Sequence, residues 1–240
     1  MLIIINADDF GMREAANQAI VEAHRAGRLN STTLLVDGAA VDSAVNLARQ
    51  CPDLGVGLHL NLDSFLGYDV DGYYGRTLSN VNPEAYRQAI HNLADLEQAI
   101  EAQFERFFSF GLTMSHVDSH HNAHLLPAIF TSVIELAGRY NVRKMRFHRA
   151  FYEAEEALFE AHRRLLAERG FTTVTEFRDF GQPEAVFNLN PGPTELMAHL
   201  DKPGLGGEPW CEAQFERLMA EATLGTLIQQ GAQFGSYHAL

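Results

Sequence analysis

The chain is poor in lysine, with only Lys144 and Lys202 among its 18 basic residues, so nearly all the positive charge is arginine. Acidic residues number 31, and the net charge is −13 at neutral pH. A field of that sign repels phosphate backbones and anionic lipid surfaces, which argues against nucleic-acid or membrane binding as a main role. Cysteine is scarcer still: Cys51 and Cys211 are too few for a disulfide framework or a thiolate zinc site. No apolar run approaches the ~20 residues that span a bilayer. The first residues, Met-Leu-Ile-Ile-Ile-Asn-Ala-Asp-Asp, lack the basic leader of a signal peptide. A cytoplasmic protein with reduced thiols is the expectation. Also missing are a glycine-rich phosphate loop, a Gly-x-Ser-x-Gly elbow and any cysteine next to a histidine.

What is present suits a globular enzyme-sized domain. Of 240 residues, 46 % are hydrophobic and 20 % charged, enough apolar surface for a core without staples. No composition shift marks a linker, so residues 1–240 read as one domain. Residues 2–5 form an apolar, β-branched run that ends in a polar loop. Strand-like stretches follow at 31–36, 54–62, 113–117, 142–147, 172–177 and 195–199. Helical periodicity fills 13–26, 39–49, 83–111, 127–140, 153–169 and 212–230, and 63–82 reads as one long loop. Strand and helix alternate throughout, the signature of βα units on a parallel sheet. The predicted fold is α/β: an irregular (β/α) barrel, TIM-barrel-like, with a doubly wound sheet as the competitor.

Parallel α/β folds gather their chemistry at the C-terminal ends of strands. Polar residues fall at four such ends. Asp8 and Asp9 follow the first strand, and they share a pocket only if the chain is already leaving the strand, a bend that Gly11 permits. Adjacent carboxylates there are costly unless paired or metal-bound, although an Asx-turn or helix cap explains them too. His59 and Asn61 lie two apart among leucines, where a histidine is often only a satisfied core residue. The third group is dense: His116, Asp118, His120, His121 and His124 fall within nine residues. If extended, His116, Asp118 and His120 share a face; if a helix begins, His120 and His124 do. Imidazole with carboxylate is a ligand set for Zn, Mn, Fe, Co or Ni. His199 closes the series at the end of the last predicted strand.

These residues resemble the YdjC-like carbohydrate deacetylases, which include chitooligosaccharide deacetylase. The similarity runs through Asn6-Ala-Asp-Asp-Phe-Gly11, Gly57-Leu-His59, Asp118-Ser-His-His121, Glu195-Leu-Met-Ala-His199 and Phe234-Gly-Ser-Tyr237. The resemblance implies an irregular barrel, a divalent metal given as magnesium, and removal of acetyl groups from N-acetylated sugars. Carried over by position, Asp9, His59 and His120 are the metal ligands, Asp8 the base and His199 the acid. Two imidazoles and one carboxylate suit Zn or Mn better than Mg, which prefers oxygen. Relatives often continue the histidine run where Asn122 stands, and often have proline where Leu200 follows His199. The partner implied is a small N-acetylated sugar, and a homodimer is compatible with the sequence. Two rivals are a non-catalytic sugar- or metal-binding protein on the same barrel and a phosphoesterase with the same ligands; the negative charge disfavours the latter.

Overall fold

The computed structural model describes residues 1–67 and 77–240. Its strands are β1 (Leu2–Phe10), β2 (Ser31–Leu34), β3 (Gly55–Leu60), β4 (Met114–Ser119), β5 (Glu176–Asp179), β6 (Thr194–Ala198) and β7 (Gln233–Phe234). They form one parallel sheet in the order β4-β3-β2-β1-β6-β5, with β7 paired to the start of β1. Its two edges are joined by residues 143–146. Val117 donates to Lys144 O and Arg146 to Val117 O, both at 3.1 Å. On the other side Thr172 donates to Arg143 O at 2.8 Å, on the run that leads into β5. The sheet therefore closes into an irregular barrel. The predicted strand at 142–147 exists only as these single bridges, and pairing in the next one starts later, at Glu176.

The helices form the outer layer: α1 (Glu14–Arg25), α2 (Val41–Arg49), α3 (Asp63–Leu66), α4 (Pro83–His91), α5 (Leu93–Ser109), α6 (Pro127–Arg139), α7 (Glu156–Glu168), α8 (Pro209–Met219) and α9 (Glu221–Gln229). Of the apolar stripe that the periodicity predicts, Leu93, Leu96, Ile100, Phe104 and Phe107, the last four are the buried face of α5 and Leu93 is partly buried. Two expected long helices are each split. Asn92 leaves helical geometry between α4 and α5, and Ala220, extended at ψ 132°, separates α8 from α9. The loop expected at 63–82 holds α3 and a single 3₁₀ turn, Leu78–Asn80; its residues 68–76 lie outside the described residues. Among the described residues no helix is long and apolar enough to cross a membrane.

Alternate residues of β1 explain why it runs past its apolar stretch. Ile3 and Ile5 join the main hydrophobic core, whereas Ile4, Asn6 and Asp8 face the barrel interior. Asn6 and Asp8 remain in the strand because side chains there satisfy them: Ser31 Oγ donates to Asn6 Oδ1 at 2.7 Å, and Asn6 Nδ2 to Asp8 Oδ1 at 2.9 Å. At the opposite end, fully buried Tyr237 plugs the barrel, stacking on His116 with centroids 3.7 Å apart and donating to Glu195 Oε2 at 2.5 Å. Gly57 leaves the room this needs, since a Cβ there would lie 2.6 Å from the His116 ring.

Candidate metal centre

The two aspartates of β1 reach the same mouth because of one backbone residue. Asp9 has φ of +67°, the left-handed region, and the β1–β2 register shifts between Ala7 and Phe10. A non-glycine residue rarely holds that conformation, which costs on the order of 1–3 kcal/mol and concentrates at functional sites. The twist breaks the alternation that would send Asp8 and Asp9 to opposite faces.

Around Asp9 stand three imidazoles. His120 Nδ1 lies 3.0 Å from Asp9 Oδ1, His59 Nε2 3.4 Å from the same oxygen, and His199 Nε2 3.9 Å from Oδ2. Neither Asp9 Oδ1 nor His59 Nε2 has a well-directed hydrogen bond, although both atoms are buried. One ligand atom from each of Asp9, His59 and His120 falls within 4.8 Å of the others. Burial pushes the Asp9 carboxyl up, but His120, His59 and His199 outweigh it and hold the group well below its usual range. Burial likewise lowers His59, and Asp118 with its neighbours reverses this to leave it well above the ordinary imidazole value.

Behind His59 lies Asp118, whose Oδ1 is 2.7 Å from His59 Nδ1. That nitrogen donates, which turns Nε2 toward Asp9, the orientation a histidine would need to ligate a cation once Nε2 gives up its proton. Sequence reasoning missed Arg146, the organiser of the interior. It is fully buried and meets Asp118 Oδ2 at 2.9 Å, Glu195 Oε1 at 2.6 Å, and both oxygens of Asp8 at 2.6 and 2.8 Å. Its only sequence signal was a charge in the predicted strand at 142–147. Buried cations demand such partners, and the planar fork matches a carboxylate edge.

Other expected members go elsewhere. His124 does not share a face with His120, because His121 and Asn122 between them have φ of +54° and +55° and turn the chain. It contacts Ser119 Oγ at 2.6 Å and Arg146 O at 2.8 Å, and burial pushes its pKa down to about 4. His116, on the Asp118 face of β4, is pushed by burial to about 3 and packs on Tyr237. Asn61 donates to Asp37 instead of joining His59. Asn122 sets Oδ1 3.4 Å from His148 Nε2, and Leu200 is buried. Asp63, given no role by the sequence, lies 3.0 Å from His121 Nδ1 and 3.8 Å from His120 Nε2.

Two further groups, Asp63–His120–His121 and Asp8–His59–Asp118, have similar spacing. Arg146 already occupies the second as its counter-cation. Of these groups the Asp9 one combines facing, buried ligand atoms that lack an aligned hydrogen bond, so its residues fit a divalent cation.

Fold and site together define a parallel α/β barrel with a carboxylate–imidazole group at its strand ends. The profile of the YdjC-like protein family matches residues 2–224, and the chain belongs to that family. It is 34 % identical to a carbohydrate deacetylase of Geobacillus stearothermophilus, over 97 % of this chain and 93 % of that one. It is 42 % identical over 146 residues to a carbohydrate deacetylase of Vibrio cholerae, a match that spans only 57 % of that relative. A similar 57 % of an Enterobacter chitooligosaccharide deacetylase is matched at 40 % identity. In three dimensions it resembles an Enterococcus faecalis V583 protein described as a candidate cellobiose-phosphate cleavage protein. That likeness has a TM-score of 0.77, covers 99 % and 98 % of the two chains at 22 % identity, and concerns the fold.

Proposed function

We propose that this chain, as a single domain of residues 1–240, is a metal-dependent hydrolase that removes acetyl groups from N-acetylated sugars. The observation that carries the metal is the buried pair Asp9 Oδ1 and His59 Nε2, facing each other beside His120 with no aligned hydrogen bond. The sugar is supported by the names of the relatives, carbohydrate deacetylase and chitooligosaccharide deacetylase. A bound divalent cation supplies Lewis-acid polarisation and a lowered water pKa.

The remaining chemistry falls to side chains. Asp8, held by the Arg146 fork, would accept the proton of the attacking water. His199, whose Nε2 lies 3.9 Å from Asp9 Oδ2, would give a proton to the leaving amine nitrogen. Water and an amide thus become acetate and a free amino sugar. A binding-only protein needs no second carboxylate held in a two-point grip beside its ligands.

Magnesium is the cation the family resemblance implies, whereas two imidazoles favour Zn or Mn. The test is acetate release from N-acetylglucosamine and its oligomers, on protein stripped by chelator and then given Mg, Mn or Zn. Activity that returns with one of these cations supports the reading. No acetate from any sugar with any cation sinks it.

A further inference from the structure

The rim of the mouth carries an aromatic side chain that the core does not use. Trp210, the single tryptophan, is 49 % exposed at the start of α8. Its ring centroid lies 5.1 Å from that of His199, with the planes at 58°. The inner face of α8 is made by Cys211, Gln214, Phe215 and Leu218, so the helix does not need the indole for packing. A large ring left half in water forgoes much of the gain from burial.

The backbone that carries the indole is tied down. His199 N–H donates to Gln214 Oε1 at 3.1 Å, which ties the end of β6 to α8. Between them, buried Asp201 accepts from Glu208 N at 2.8 Å and meets Arg13 at 3.3 Å, while Lys202 N donates to Ala15 O at 3.0 Å. Gly207 packs so closely on Asp201 that a Cβ would lie 2.4 Å from its side chain. The start of α8, from which Trp210 projects, is thus held in a fixed relation to the end of β6, as a ligand-contacting position requires.

A flat π face beside a proton-donating imidazole matches the chemistry of a pyranose, whose C–H face is apolar and whose edge is polar. We propose that Trp210 is the platform on which the sugar ring bearing the acetyl group stacks, with its amide nitrogen turned to His199. This rests on the deacetylase reading and adds to it a selection for cyclic sugars over acyclic N-acetyl amines.

Because the chain has one tryptophan, its emission reports on this position alone. Titrating the cation-loaded protein with N-acetylglucosamine and its β-1,4-linked dimer and trimer is expected to shift that emission to the blue. In Trp210→Ala, KM for these sugars should rise about tenfold, with the loss mainly in KM, and Trp210→Phe should recover most of it. A silent emission together with an unchanged KM in Trp210→Ala overturns the platform. The two readings separate cleanly. Acetate release with silent emission and unchanged KM keeps the hydrolase and removes the platform, whereas an emission shift without acetate release keeps the platform and removes the hydrolase.

Discussion

Asp118 Oδ1 and His59 Nδ1 are 2.7 Å apart, and this contact decides which nitrogen of His59 faces Asp9. Asp118→Asn keeps the shape and removes the charge. Cation affinity should fall about 10–100-fold, the usual cost of losing such a supporting partner. Competition with a chromogenic chelator measures it, and an unaltered affinity would remove Asp118 from the support of the centre.

Asp8 and Asp9 should fail differently. Asp9→Asn weakens cation binding, so the rise in melting temperature on adding cation should shrink or vanish. Asp8→Asn should bind cation nearly normally while kcat drops about 10²–10⁴-fold, the range for a lost general base. Melting curves with and without cation, alongside kinetics, check both. The reverse pattern exchanges the roles.

Arg146 is the cation shared by Asp8, Asp118 and Glu195. Arg146→Met should cost about 3–5 kcal/mol in stability, because it leaves buried carboxylates uncompensated. Denaturant titration reads this directly. Arg146→Lys restores the charge without the fork, so it should recover stability better than it recovers turnover; equal recovery of both would argue that Asp8 needs no fixed orientation.

His162 gives a pH prediction away from the centre. Burial pushes its pKa down to about 4, and its Nδ1 lies 2.8 Å from the Tyr152 hydroxyl. The unfolded value is about 6.5, so between the two the unfolded chain binds more protons and stability falls as the pH drops. His162→Asn keeps an acceptor for Tyr152 but does not titrate. The melting-temperature advantage of the wild type over this variant should be full at pH 7 and should shrink steadily toward pH 4.5. A constant difference refutes the assignment.

Periodicity and strand-end polarity were enough to read the alternating α/β order, whereas the grouping of Asp9, His59 and His120 followed from the family resemblance. What remained hidden depends on partners distant in sequence. β1 runs to Phe10 because Ser31 and Arg146 satisfy its interior polar residues, and no local pattern announces that. Residues 143–146 look like a strand and pair only at single bridges, since each neighbouring run diverges after one contact. The left-handed turn at His121 and Asn122, which sends His124 to Ser119, left no glycine to mark it.

Tyr237 makes the barrel a blind alley. With its ring against His116 and its hydroxyl on Glu195, it fills the end opposite the strand-end mouth. On the deacetylase reading, substrate enters and acetate and amino sugar leave by the same strand-end mouth. On that reading the free amino sugar, which refills the same mouth, should compete with substrate in initial-rate measurements.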